Sequence, residues 1–227
     1  MRSRFCPHLQ ASGLAYCGAW SSSRLGVGIV AITLGCSSGP SAVTPPSINP
    51  DGAAAAAMKQ YDADGDGFIA GSELDAAVSL KAAMGTLDTD KDGKVSETEI
   101  ADRIREWQRS ELGLLGFRCT VTLDGRPLKE AKVELEPEQF LGTNVLAANG
   151  ETSPLGMAIV SIPKEKRPDP TWPPGVQFGF YRVRITSGNS GVTIPDRYNT
   201  NTILGQQVAR DDESVLRKKV EYNLTTK

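Results

Sequence analysis

Four carboxylates fall within the twelve residues "DADGDGFIAGSE", positions 62–73. Asp62, Asp64 and Asp66 alternate along the chain, Gly67 permits a sharp turn, Phe68 offers its backbone carbonyl, and Glu73 closes the series with two oxygens. A hard divalent cation takes about six to eight oxygens at roughly 2.3–2.6 Å, and one continuous loop can surround it only if donors recur on one side while the backbone reverses. This stretch supplies both conditions. It also needs the cation, because four carboxylates gathered in one loop repel each other unless a positive charge neutralises them. The pattern returns at an offset of 26 residues in "DTDKDGKVSETE", positions 88–99, with Asp88, Asp90, Asp92, Gly93, the Lys94 carbonyl, Ser96 and Glu99 aligned place for place. At the ninth position Ser96 stands where the first loop has Ala70, so a water is expected to fill that place in the first loop. Seven ligands with a bidentate glutamate suit calcium better than magnesium, which keeps a smaller octahedral shell and several waters. Two calcium ions are therefore expected.

Both loops resemble the EF-hand family at every charged position and at the glycine. Position eight is Ile69 in one and Val95 in the other, the β-branched residues through which paired EF-hands bridge their loops. Fourteen residues separate Glu73 from Asp88, room for two short helices with a break near Ser79 or Gly85. The entering helix reads as an alanine run ending in Met58 and Tyr61, and the exit helix as Thr98 to about Glu111, with Ile100, Ile104 and Trp107 on one face. Sensor EF-hands expose a methionine-rich groove. This region has only Met58 and Met84, so a structural or adhesive role is expected rather than a switch.

What must position these loops is organised in segments along 227 residues. Residues 1–35 carry Arg2, Arg4 and Arg24 and then the short apolar run "LGVGIVAITLG", which is too short for a spanning helix of about 20 residues and reads as an export signal. "TLGCSSG" resembles the lipobox of bacterial lipoproteins, with Thr33 where that family prefers leucine; the resemblance implies lipidation of Cys36 and anchoring in a membrane of the cell envelope, facing the periplasm or the exterior. Plain secretion with cleavage nearby is the alternative. Residues 36–52, rich in Ser, Pro and Gly, read as a flexible tether. Loss of the leader and acylation of Cys36 would leave Cys119 as the one free thiol, on the apolar side of a strand, where cysteine is a small core hydrophobe. Beyond the leader acids exceed bases by five, which does not suggest a nucleic-acid footprint.

Residues 53–112 follow the helical period; after Gly113–Gly116 the period changes to two. "FRCTVTL", "AKVELEP", "GMAIVSIP", "FYRVRITS" and "KKVEYNLTT" alternate between turn signals, which predicts an antiparallel sandwich over 116–227 and an α+β chain overall. "VTLDGRPLKEAKVELEP" and "PPGVQFGFYRVRIT" resemble the carboxypeptidase regulatory-like domain, a transthyretin-like β-sandwich. That resemblance implies a binding or scaffolding module without catalytic residues. The sole histidine, His8, lies in the leader, so triads and zinc sites that use imidazole are not expected and the chain reads as a non-enzyme. Trp172 on its proline-rich loop and Tyr198 are candidate contacts, with packing the expected role for both. A calcium-stiffened scaffold or adhesion protein touching an unknown surface protein or glycan is the leading expectation; a periplasmic calcium sensor and a carbohydrate-active enzyme are the alternatives.

Overall fold

The computed structural model describes residues 43–110 and 112–227; the leader and Cys36 lie outside the described residues. Helix α1, Pro50–Tyr61, is capped by Asn49, whose side chain accepts from the Gly52 N–H at 3.2 Å, and proline at the first position costs nothing because its missing N–H would be unpaired there. Residues 43–52, expected as part of the tether, are instead held against the folded part or lie in α1. Ile48 is buried, the Gln108 side chain donates to its carbonyl, and the Gly113 N–H donates to the Val43 carbonyl at 2.6 Å.

The first loop leads through β1, Phe68–Ile69, into α2, Ser72–Ala76, and α3, Val78–Leu87; the second leads through β2, Val95–Ser96, into α4, Glu97–Gln108. The break between the inner helices falls at Ala77, with φ −87° and ψ 57°, not at Ser79 or Gly85. Ser79 stays helical and buried because its hydroxyl has a partner across the domain, and Gly85 is carried inside α3 at a cost of about 1 kcal/mol. The apolar stripe of α4 is as expected: Ile100, Ile104 and Trp107 are all buried.

The second half contains β3 (Leu114–Leu115), β4 (Phe117–Leu123), β5 (Arg126–Pro127), β6 (Lys132–Pro137), β7 (Ala148–Glu151), β8 (Met157–Val160), β9 (Val176–Gln177), β10 (Gly179–Thr186), β11 (Gly205–Val208), α5 (Glu213–Leu216) and β12 (Val220–Leu224). One sheet runs β11-β10-β6-β7, all antiparallel. In the other, β4 pairs with β12, β5 and β8. The β12–β4 pair is parallel, Tyr222 opposite Val121, a departure from the wholly antiparallel expectation. The segment between β11 and β12, carrying α5, returns the chain so that β12 runs the same way as β4. Inward positions alternate as the period requires: Val133, Leu135, Tyr181, Val183 and Ile185 face Phe117, Cys119, Val121, Val160 and Tyr222 in the buried core. Burial pushes the Cys119 thiol up to about 12, so it is a core hydrophobe and not a nucleophile.

The helical region packs on the outer face of the first sheet, and one hydrophobic core is continuous through both. Alternation points Phe180 away from the sandwich interior, and there its ring meets Trp107 of α4 at 4.7 Å between centroids and Phe140 at 6.1 Å. Helix α3 lies along β11. A side chain at Gly205 would come within 1.9 Å of the Val78 carbonyl, so only glycine lets helix and strand approach this closely.

Candidate metal centre

In the first loop the aspartates organise the backbone before any ion is considered. Asp62 accepts from the Gly65 N–H at 2.7 Å and the Gly67 N–H at 3.1 Å, Asp64 from Asp66 at 3.1 Å, and Asp66 from Phe68 at 2.8 Å. The turn needs Gly65 and Gly67, which sit at φ 75° and 86°. Asp62, Asp64 and Asp66 each bring an oxygen within 4.8 Å of the others. Glu73 reaches back across the loop, accepting from Ala63 at 2.7 Å, Asp64 at 3.3 Å and Ala70 at 3.1 Å. The N–H groups of Ala70, Ala63 and Asp64 together hold its carboxyl below the usual carboxylate range.

The second loop repeats this arrangement with the same roles. Asp88 accepts from Asp92 at 3.2 Å and Gly93 at 3.0 Å, Asp90 from Asp92 at 3.2 Å, and Asp92 from Lys94 at 2.8 Å. Here the oxygens that converge within 4.8 Å belong to Asp88, Asp90 and Glu99. Position four is the non-glycine Lys91, held at φ 62° where the first loop has Gly65. Ser96 builds a capping box: its hydroxyl accepts from the Glu99 N–H at 3.3 Å, and Glu99 accepts from the Ser96 N–H at 2.9 Å. Ala70 cannot do this, and α2 has no side-chain cap. Burial raises the Glu99 carboxyl, but bonds from Ser96 and Thr89 outweigh it and the net shift is downward. The loops join where expected, Ile69 paired with Val95 and both buried.

A family profile described as EF hand matches residues 54–78 and 80–102. Residues 54–102 are an EF-hand pair. The EF-hand pair has the chemistry of a calcium site: hard oxygen donors, three aspartates on alternate residues, and a glutamate at the twelfth place. Phe68 and Lys94, whose carbonyls are the expected seventh-position donors, lie next to the Ile69–Val95 pairing that fixes the strand turns. No curated protein and no solved structure gives a match to the chain.

Across its back, the EF-hand pair is tied to the sandwich by polar contacts that spacing along the chain did not reveal. Glu138, only 2% exposed, accepts from the Tyr61 hydroxyl at 2.9 Å and the Ser79 hydroxyl at 2.7 Å. Burial, then the Glu138 charge, pushes the Tyr61 phenol well up, with Arg182 partly opposing. Tyr61 immediately precedes Asp62. Gln207 donates to Thr86 at 2.9 Å and accepts from Arg103 at 3.0 Å, and buried Arg103 grips Asp211 with two bonds, at 2.8 and 2.6 Å. The legible signal was Phe180, a large aromatic at an outward position of an alternating strand. Met58 is buried and Met84 half-buried.

The two loop aromatics are accounted for by packing. Trp172 is half-buried, and Arg167 fixes its loop by donating to the carbonyls of Trp172 and Ile162, both at 3.0 Å. Tyr198 is buried, and its hydroxyl accepts from the Thr225 N–H at 3.2 Å.

Proposed function

We propose that this protein is an exported, lipid-anchored, non-enzymatic component of the cell envelope in which two calcium ions stiffen a scaffold or adhesion module. The observation that carries the reading is the buried Glu138, whose two oxygens take one hydroxyl from the helix entering the first loop and one from the helix between the loops. A module whose loops are fixed from behind in this way suits constant occupancy better than opening. The buried Met58 and half-buried Met84 favour the scaffold over the sensor for the same reason, since the pair offers no methionine-lined groove among the described residues. For the sandwich, the Asp124–Pro127 turn and the alternating β6 and β10 support a transthyretin-like module that binds a surface protein or a glycan. The lipobox-like "TLGCSSG" supports the anchor at Cys36, and no helix among the described residues is long and apolar enough to cross a membrane.

The test uses the full chain with and without calcium. Saturating calcium is expected to raise the thermal midpoint with no change in the X-ray scattering profile, whereas expansion with new dye-binding apolar surface would overturn the scaffold reading in favour of a sensor. Cys36→Ala is expected to abolish incorporation of a fatty-acid analogue in cells; persistent incorporation would refute the anchor.

A further inference from the structure

We infer that the outer face of β8, with the turn that precedes it, is a docking surface for an anionic lipid bilayer. The strand alternates as a half-buried strand should, with Ala158 and Val160 buried, but Met157 and Ile159 fill the outward places that polar residues would take. Ile159 is 63% exposed, and Leu155 in the turn is 72% exposed. At two-residue spacing these three long side chains form one apolar column on the surface, and a contiguous exposed patch of this kind marks an interaction site. The turn extends the patch. Gly156 packs against the backbone of Pro127 and Leu128, and exposed Pro154 shares a recess with Pro127 and Val192.

The unpaired charges bordering this patch are positive. Arg118 stands opposite Ile159 on β4, and Arg126 and Lys129 line the recess at the turn. All three are exposed, and among the described residues none makes an ion pair or a side-chain hydrogen bond. The acid in the recess, Asp124, is engaged by the Thr226 N–H at 3.0 Å and hydroxyl at 2.8 Å. Glu221 lies on β12, with β4 between it and Met157, and Glu151 stands opposite Lys132 in the other sheet. Apolar side chains reaching outward between unpaired cations match a bilayer surface, where lipid phosphates meet the cations and the acyl boundary takes the side chains. A second copy of the chain fits less well, because three side chains offer a few hundred Å² of apolar surface, short of the roughly 800 Å² per partner in a standard interface. The inference rests on the proposed anchor at Cys36 only for bringing a bilayer within reach.

The experiment uses the full chain carrying Cys36→Ala, so that failure of the anchor, read by fatty-acid labelling, and failure of the docking surface are separate results. Co-sedimentation is measured with vesicles of phosphatidylcholine alone and of phosphatidylcholine mixed with phosphatidylglycerol, the mixture doped with a diazirine-bearing phospholipid. Tighter binding to the anionic vesicles is expected, with photo-crosslinks mapped by mass spectrometry to residues 154–159. Leu155→Ser combined with Ile159→Ser should weaken binding at least tenfold, the loss of two inserted aliphatic side chains. Arg118→Gln, Arg126→Gln and Lys129→Gln should each weaken binding about fivefold on the anionic vesicles alone. All five residues are exposed, so folding is preserved, which an unchanged thermal midpoint verifies. Crosslinks confined to other parts of the chain, or equal affinity in the Leu155/Ile159 double variant, would overturn the surface. Self-association that the double variant abolishes, without crosslinks to lipid, would overturn it in favour of a second copy.

Discussion

The Trp107 ring of the EF-hand exit helix rests against Phe180 of the central strand β10, with centroids 4.7 Å apart and planes inclined by 60°. Both side chains are buried, so the contact links the metal-binding half to the sheet through apolar area rather than through a linker. Phe180→Ala should therefore cost about 3–5 kcal/mol. Urea denaturation followed by tryptophan fluorescence and by circular dichroism should give coincident transitions in the parent protein, because the core is shared. Separate transitions would show that the halves unfold independently.

Glu138 offers a sharper test of the same seam. Glu138→Ala leaves the Tyr61 and Ser79 hydroxyls without their acceptor, and an unsatisfied buried group costs about 1–3 kcal/mol. The cycle of Glu138→Ala with Ser79→Ala should show coupling between the two sites; strictly additive losses in urea melts would mean the bond contributes nothing.

The two metal loops differ in the cap that follows them, Ser96 in the second and no side-chain cap in the first. Glu73→Gln and Glu99→Gln are each expected to remove one calcium from the stoichiometry measured by calorimetry, and unchanged stoichiometry in both would refute the assignment. Only Glu99 also completes a capping box. Ser96→Ala, which removes the hydroxyl that caps this helix, should destabilise the calcium-free protein by roughly 0.5–2 kcal/mol, while Glu99→Gln, whose amide oxygen can still accept from the Ser96 N–H, should leave that state closer to the parent.

Acid should loosen the Arg103–Asp211 clamp. Hydrogen bonds from Arg103 hold the Asp211 carboxyl below its ordinary value despite partial burial. A carboxyl with a lower pKa folded than unfolded contributes stability above its unfolded value, about 3.9, and that contribution disappears as pH falls through the folded value. Asp211→Asn should accordingly flatten the acid limb of the stability profile below about pH 4. An acid limb identical to the parent's would exclude the clamp as a contributor.

Lys91 occupies a left-handed position that the first loop gives to glycine. Lys91→Gly should relieve about 1 kcal/mol of backbone strain, seen as a higher midpoint of the calcium-free protein. A fall in that midpoint would show that glycine's extra freedom in the unfolded chain dominates.

Local chemistry was legible along the chain. Asp62, Gly67 and Glu73, and their counterparts Asp88, Gly93 and Glu99, act within twelve residues of each other, so their types and spacing fix what they can do. The same holds for Ile69 and Val95, and for the alternation that turns Val133, Leu135 and Cys119 inward. The Asn49–Pro50 start of α1 was also written locally, as a cap followed by a first-turn proline, although the proline-rich composition around it reads as a tether.

By itself the sequence determined two oxygen-lined loops, the helices around them and a following set of alternating strands, because each depends on residues a few places apart. Only the tertiary structure decided that these parts share one core. Glu138 finds Tyr61 across 77 positions and Ser79 across 59, and Arg103 finds Asp211 across 108. It likewise set β12 parallel to β4 and placed Gly205 beneath α3. The physical reason is that such contacts depend on which surfaces are buried together, and a lone glutamate, glutamine or glycine in a strand carries no local mark of the partner that packing will give it.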